Sequence, residues 1–242
     1  MERIITTGNI GRFDFSFLVN FLFGYLRGLQ AGRKVRDLLM SNVQIIHGDC
    51  MEAMKAMPDK AFDLAIVDPP YGIGIAKWDV TKPNEKYFKE LFRVSNNWII
   101  WGANYFKIID NNNYIVWDKD PFLKNQSKSE IAFCSFETKA IIYRYQYAGN
   151  FENGRVDYNK KSIHPTQKPV ALYKWLLHNY AKKGDLILDT HVGSASSLIA
   201  CHLLGFNAVG FELDEDYYRT SKERLDRAMN QLGLFGDGEE TA

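Results

Sequence analysis

Residues 186–205, LILDTHVGSASSLIACHLLG, join an apolar run, an acid, a glycine-bearing turn and a helical apolar pattern. The apolar run predicts a buried strand at 186–188, directly before Asp189, and residues 196–204 predict a helix. A second strand at 208–211 and a last helix at 215–232 follow directly. Strands that alternate with helices in this way are typical of a mostly parallel sheet with helices on both faces.

The same alternation precedes this segment along the chain. Apolar runs and helical spacing predict strands at 43–47, 62–67, 98–101, 114–117, 130–136 and 140–147, and helices at 50–57, 85–94 and 169–180. No repeat or linker interrupts this order, so residues 41–232 are expected to form one doubly wound α/β domain. The polar residues 233–242 are expected to be a disordered tail.

Composition sets the class of protein. The chain has 242 residues, of which 46% are hydrophobic and 24% charged, as in ordinary soluble globular proteins. The formal net charge of +1 shows no overall basicity, although a local basic face would suffice for nucleic acid. Cys50, Cys134 and Cys201 are far apart and form no CxxC pair, which argues against a disulfide framework or a zinc site. We therefore expect a cytoplasmic protein without a metal.

Residues 1–40 form a separate N-terminal extension. Its apolar part, residues 13–26, is interrupted by Asp14 and Asn20 and is shorter than the roughly 18–20 residues that a membrane span needs. We expect an amphipathic or interaction segment and no membrane association. Alternatively the extension is not native, because MSNVQIIHGDC opens directly into a strand and would make Met40 the natural start.

Gly193, Asp189 and Glu212 indicate a site for an adenosine-bearing cofactor. Gly193 lets a ligand approach the backbone, and the start of the following helix offers free N–H groups. Glu212 ends a strand about 20 residues beyond the glycine turn, where similar folds place an acid on ribose hydroxyls. Asp189 would repel the phosphates of a dinucleotide but suits the amino group of a methionine moiety. The segment favours S-adenosylmethionine over NAD, and a plain strand–turn–helix unit is the alternative.

The strand at 62–67 runs into Asp68-Pro69-Pro70-Tyr71. The exocyclic amine of adenine is a poor nucleophile, and two acceptors on its N–H groups would turn its lone pair out of the ring plane. Asp68 and the Pro69 carbonyl can be those acceptors, and the prolines fix the backbone and remove competing donors. Tyr71 offers a face for stacking on a flipped-out base. A strand-end turn capped by an acid is the structural alternative.

Five motifs then resemble, in order, those of the DNA amino-methyltransferases that use S-adenosylmethionine, in the β-type arrangement with the catalytic motif first. They are HGDCMEAM at 47–54, DPPY at 68–71, HPTQKP at 164–169, LDTHVGSASS at 188–197 and GFELDEDYY at 210–218. The resemblance implies that Asp49 contacts the cofactor's adenine and that Lys168 holds its carboxylate. The other cofactor-binding residues that it implies are Cys50, Asp189, His191, Gly193, Ser194, Ser196 and Glu212.

The resemblance also implies a Rossmann-like methyltransferase fold, a mixed seven-stranded sheet with one antiparallel strand and the catalytic half before the cofactor half. The chain departs from the family's D-P-F-x-G-S-G-T at Thr190, His191 and Ala195. We expect His191 to stack on the cofactor in place of Phe, or simply to pack. The Thr-His pair resembles a branch common in phages and prophages.

Residues 119–163 are expected to form a small target-recognition region for double-stranded DNA. Between Lys119 and Lys168 there are nine Lys/Arg against five Asp/Glu, with aromatic residues interleaved. Most of these aromatics are expected to be strand core. The candidates for DNA contact are Lys124, Lys128, Arg144, Arg155, Lys160 and Lys161. A homodimer is a further expectation, since dimers are common in the family, and the sequence does not say whether a restriction endonuclease is paired with the chain.

The aspartate of DPPY, in place of serine, favours a site-specific methyltransferase acting on adenine N6. Cytosine-N4 methylation is the alternative within the family. A glutamine-amide or RNA methyltransferase is less favoured, because glutamine-modifying enzymes place the cofactor motif first. A catalytically silent nucleic-acid-binding module of the same fold is the alternative outside enzymes.

Overall fold

The computed structural model describes residues 43–74, 79–106, 113–120, 127–148, 151–152, 155–156 and 163–233. The predicted extension at 1–40 lies outside these residues, as does the predicted tail apart from Gly233. In the described part of the chain, no helix combines the length and apolar character that crossing a membrane requires.

Eleven strands and five α-helices make up the described part. The strands are β1 (Val43–His47), β2 (Phe62–Val67), β3 (Ser95–Trp101), β4 (Tyr114–Asp118), β5 (Ser129–Cys134), β6 (Ala140–Arg144), β7 (Tyr147–Ala148), β8 (Phe151–Glu152), β9 (Arg155–Val156), β10 (Leu186–Asp189) and β11 (Asn207–Glu212). The helices are α1 (Cys50–Ala56), α2 (Glu85–Val94), α3 (Val170–Tyr180), α4 (Ser196–Leu203) and α5 (Glu215–Gly233).

The main sheet has the strand order β1-β11-β10-β2-β3-β5-β4-β6. Within it only β5 runs antiparallel to its neighbours, β3 and β4. The doubly wound mixed sheet with one antiparallel strand is therefore as predicted, but it contains eight strands rather than seven. The additional strand is β6, which pairs in parallel with the sheet edge at β4. Strands β7, β8 and β9 form a separate small antiparallel sheet.

Apolar side chains cover both faces of the sheet. On one face α1 and α2 bury residues such as Met54 and Leu91 against β2 and β3. On the other face α3 and α4 contribute residues such as Leu176 and Leu198 to a second cluster, which includes side chains of β2, β3 and β10. Burial on both faces explains why the central strands read as continuous apolar runs rather than as alternating ones.

The sheet has a switch point between β10 and β2. These two strands are neighbours, yet the chain continues from β10 to β11 on one side and from β2 to β3 on the other. In open α/β sheets, ligands bind in the crevice at the carboxyl ends of the strands at such a point. Asp68 follows β2 there, and the turn that carries Gly193 follows β10.

Candidate active site

Asp68 is held by two side chains at the end of β2. Its Oδ1 accepts a hydrogen bond from the Tyr71 hydroxyl, and its Oδ2 accepts one from Lys168 Nζ. Burial raises the pKa of the Asp68 carboxyl, and the positive charge of Lys168 opposes that shift. A carboxylate has about four acceptor positions, so Asp68 can still take a further N–H donor.

Tyr71 is fixed by aromatic packing and by a glycine. Its ring stacks on Tyr105 with centroids 4.8 Å apart and planes inclined by 12°, and Phe106 contacts it edge-on at 6.0 Å. Gly102, at φ +77°, lies so close that a Cβ there would be 2.2 Å from Tyr71 Cε1. Because Tyr105 covers one face of Tyr71, a base could stack only on the other.

The backbone after Tyr71 is held by the carboxylate of Asp79. Asp79 is 2% exposed. Its Oδ1 accepts hydrogen bonds from the N–H groups of Tyr71 at 2.7 Å and Gly72 at 2.8 Å, and its Oδ2 accepts one from Ile73 at 3.2 Å. This carboxylate therefore fixes the exit of the chain from the DPPY motif.

Lys168 lies between two carboxylates. It is 3% exposed, and besides Asp68 its Nζ pairs with Glu130 Oε2 at 3.0 Å. Glu130 Oε1 pairs in turn with Lys119 Nζ at 2.5 Å. Burial alone would lower the pKa of Lys168, but Asp68 and Glu130 raise it above its ordinary value. Burial would likewise raise the pKa of Glu130, but Lys168 and Lys119 bring it below its ordinary value.

Gly193 and Glu212 meet across the crevice. The Gly193 N–H donates to Glu212 Oε2 at 2.8 Å, and the Asp214 N–H donates to Oε1 at 3.0 Å. Gly193 has φ +53°, and a Cβ there would lie 3.5 Å from the ring of His164. Asp49 lies nearby as the N-cap of α1 and accepts from the Met51 N–H at 2.8 Å.

Asp189 points away from the crevice. Its Oδ2 accepts from the Ser197 hydroxyl, and its Oδ1 accepts from the His191 N–H at 3.0 Å. Burial raises the pKa of Asp189 to about 7. The Ser196 hydroxyl also turns inward, to Ser194 Oγ at 3.0 Å and Arg224 Nη1 at 2.9 Å.

His191 lies at the crevice wall and makes polar and aromatic contacts. Its Nδ1 is 2.9 Å from Thr190 Oγ1, and its ring meets Tyr87 edge-on at 5.5 Å. Burial lowers the pKa of His191 to about 4, so the ring is neutral near pH 7. Ala195, the third residue that departs from the family pattern, has the left-handed φ of 60° that a glycine would adopt freely.

A cavity of about 530 Å³ connects the two halves of the site. Asp189 and Ser196 do not line it. The predicted residues that line it are Asp49, Cys50, Asp68, Pro69, Pro70, Tyr71, Lys168, His191, Gly193, Ser194 and Glu212. In the described part of the chain, no group of His, Cys, Asp and Glu side chains is arranged to hold a metal ion.

Sequence reasoning missed Asp79, Glu130 and Tyr105. Asp79 had one available signal, an acid that follows a loop containing two glycines and comes soon after the catalytic motif. Glu130 was visible only as an acid at the start of a predicted apolar strand. We find no sequence signal that would have paired Tyr105 with Tyr71.

The predicted DNA contacts are only partly described. Lys128 is exposed, and Arg144 is exposed with its Nε 2.8 Å from Asp118 Oδ2. Arg155 lies in β9, but its side chain is outside the described part. Lys124, Lys160 and Lys161 lie outside the described residues.

Known proteins that are similar to this chain include DNA methylases. Residues 116–223 match the DNA methylase family. Type II methyltransferase M.HpaI of Haemophilus parainfluenzae is 25% identical over 237 residues, covering 77% of this chain and 75% of that protein. Type II methyltransferase M2.MboI of Moraxella bovis is 30% identical over 152 residues, covering 63% of this chain and 49% of that protein.

Solved structures share the fold. M1.HpyAVI, crystallised as a complex with SAM, matches with a TM-score of 0.53 and 23% identity, covering 75% of this chain and 98% of that one. PvuII DNA methyltransferase, described as cytosine-N4-specific, matches with a TM-score of 0.54 and 12% identity, covering 80% and 93%. This chain is therefore similar to the DNA methylase family and to type II methyltransferases, in agreement with the resemblance that its motifs predicted.

Proposed function

We propose that this protein methylates DNA at adenine N6, with S-adenosylmethionine as the methyl donor. The observation that carries the proposal is the position of Asp68 and Tyr71 in one cavity with Gly193 and Glu212. The acceptor for a target amine and the candidate cofactor residues thus face the same space. That space lies at the switch point of the sheet, where such folds bind ligands.

The cavity residues fit S-adenosylmethionine. A volume of about 530 Å³ is within the usual range for small-molecule sites. Gly193 leaves the backbone accessible, and the acids Asp49 and Glu212 suit the hydroxyl and amino groups of an adenosine. Asp189 faces Ser197, so we assign it to shaping the turn rather than to contact with the amino group.

Asp68 would hold the target amine through one of its N–H groups. The backbone after β2 is rigid, because Pro69 and Pro70 restrict φ and Asp79 fixes the residues that follow. When bound, S-adenosylmethionine supplies the methyl group, with its sulfur–methyl bond breaking as the nitrogen–methyl bond forms. The amine loses one proton as it becomes a secondary amine, and Asp68 is the acceptor in contact with it.

Adenine is favoured over cytosine by the aspartate of the DPPY motif. In the family that the motifs resemble, aspartate at this position, rather than serine, favours adenine N6 over cytosine N4. Asp68 is a stronger acceptor than a serine hydroxyl when it is ionised. Lys168 supports that ionised state by direct contact.

DNA would be held by the region at 119–163, which we propose as the target-recognition part of the domain. Lys128 and Arg144 are exposed on β-strand edges or loops there. Their charges suit phosphate contacts, which position a protein on DNA without reading its sequence. We also propose a cytoplasmic location, because Cys50, Cys134 and Cys201 are buried as thiols and not as disulfides.

The proposal is tested with Asp68→Ala and with Glu223→Ala, a control at an exposed position of α5. Methyl transfer from labelled S-adenosylmethionine to unmethylated DNA is measured beside calorimetric binding of the cofactor. We expect Asp68→Ala to lose about 100-fold or more in rate and to retain binding, because the change removes an acceptor of the amine. Full turnover in Asp68→Ala would contradict the mechanism, and no cofactor binding by the wild type would favour a silent module.

A further inference from the structure

Glu130 is a carboxylate that connects the edge of the sheet to the catalytic acid. It lies on β5, the antiparallel strand, and is paired in register with Trp117 of β4. Its two oxygens take different partners, Lys119 at 2.5 Å and Lys168 at 3.0 Å. Lys119, Glu130, Lys168 and Asp68 therefore form a row of alternating charges that ends at the catalytic motif.

The ammonium group of Lys168 is surrounded by its partners in this row. An ammonium group has three N–H donors. One donates to Asp68 Oδ2 and another to the Tyr71 hydroxyl at 3.4 Å, while Glu130 Oε2 forms an ion pair with Nζ at 3.0 Å. The ammonium also lies 5.4 Å from the ring centroid of Trp101, which closes the apolar side of the position.

We propose that Glu130 is a positioning residue for methyl transfer, which holds Lys168 against Asp68 so that the carboxylate stays aimed at the target amine. The inference rests on the proposed function. It assigns Lys168 to the catalytic acid, whereas resemblance alone assigned it to the cofactor carboxylate. Glu130 acts through Lys168 and does not contact the amine itself.

The charges explain why a second carboxylate is needed. Without Glu130, Asp68 would be the only charged partner of the buried ammonium in the described part of the chain, and the contact of Nζ with the Tyr71 hydroxyl is a long one. Glu130 adds a second charged contact, and it does so from β5. The position of the Lys168 ammonium is therefore fixed by the sheet. Glu130→Gln keeps one acceptor oxygen but removes the charge, and Glu130→Asp keeps the charge but shortens the reach.

The experiment uses the full chain with Glu130→Gln, Glu130→Asp and Lys119→Met, and with the exposed Glu223→Gln as matched control. The measured quantities are kcat and the Kd of S-adenosylmethionine, after thermal unfolding has shown that each variant is folded. We expect kcat to fall about tenfold or more in Glu130→Gln and by an intermediate factor in Glu130→Asp. The cofactor Kd should stay within about twofold of the wild type, because in this proposal Lys168 holds the Asp68 carboxylate and not the cofactor.

Lys119→Met separates positioning from a structural role. It removes the outer lysine but leaves the contact between Glu130 and Lys168, so we expect a smaller loss of kcat than in Glu130→Gln. An equal loss in the two variants would overturn the inference. A wild-type kcat in Glu130→Gln would overturn it too, as would a weakened cofactor Kd with unchanged kcat.

A variant that does not fold and a wild type that is inactive each have a defined meaning. If Glu130→Gln does not fold, Glu130→Asp decides alone: a lower kcat with retained cofactor binding supports the inference, and a wild-type kcat overturns it. If the wild type binds cofactor but transfers no methyl group, the proposed function fails and the inference fails with it. If the wild type is active and only the Glu130 result is negative, the inference alone fails.

Discussion

Removing the Asp79 carboxylate should loosen the catalytic motif and lower the stability of the protein. Three backbone N–H groups, those of Tyr71, Gly72 and Ile73, donate to it at 2.7, 2.8 and 3.2 Å. Hydrogen bonds to a charged group contribute about 1.5–3 kcal/mol each, and less where water can replace the acceptor. Tyr71 and Gly72 are half-buried and Ile73 is exposed. We therefore expect Asp79→Ala to cost about 3–4 kcal/mol in total.

That cost can be measured by thermal unfolding. For a domain of this size it corresponds to a lowering of Tm by about 10 °C. Asp79→Asn keeps one oxygen for Tyr71 and Gly72, so we expect about half of that shift. Displacement of Tyr71 should also lower kcat by about 10- to 100-fold, because small misplacements of a reacting group are costly.

Asp185→Ala is the matched control for Asp79→Ala. Asp185 Oδ2 accepts the backbone N–H of Lys182 at 2.8 Å, in a turn that does not line the cavity. We expect a Tm lower by only about 3 °C and an unchanged kcat. A Tm and a kcat of Asp79→Ala equal to those of the wild type would contradict a role of the Asp79 carboxylate in holding this backbone.

Two further changes test the geometry of Tyr71 and the ionisation of Asp189. A Cβ at Gly102 would lie 2.2 Å from Tyr71 Cε1, whereas Gly205 has a similar φ and nothing within 4 Å. Gly102→Ala should therefore lower kcat about tenfold or more, while Gly205→Ala should cost only about 1 kcal/mol of stability, and equal kcat values would contradict this. Burial raises the pKa of Asp189 to about 7, so the folded state keeps a proton that the unfolded state has released, and stability falls as the pH rises to that value. In urea unfolding, the wild type should lose about 2 kcal/mol relative to Asp189→Asn between about pH 5 and about pH 7, and a constant difference would show that Asp189 is ionised throughout.

Local pattern was sufficient to predict the elements that form the site. The predicted strands at 43–47 and 62–67 and the predicted helix at 85–94 coincide with β1, β2 and α2. Their buried positions carry apolar residues, so the spacing of apolar residues in the sequence predicts each element. The family resemblance implied the single antiparallel strand but gave no strand order. The apolar pattern predicted a strand at 140–147, where β6 lies, but the resemblance implied seven strands and did not include β6 as an eighth strand of the sheet.

Contacts between distant segments could not be predicted in the same way. Glu130 reaches Lys168 because β5 runs antiparallel beside β3, and nothing in the residues around either side chain specifies that register. Asp189 shows the opposite case. Its position in the motif suggested a cofactor ligand, but Ser197 and the His191 N–H take its oxygens inside the turn.

Methylation of adenine in DNA can be tested directly by analysis of the nucleosides. Purified protein is incubated with S-adenosylmethionine and unmethylated double-stranded DNA, and the digested nucleosides are analysed by mass spectrometry, with Asp68→Ala as the blank. We expect N6-methyladenine in the digest of DNA treated with the wild type. N4-methylcytosine would preserve the fold and the role of Asp68 but contradict the assigned base, and the absence of any methylated base despite cofactor binding would contradict DNA as the substrate.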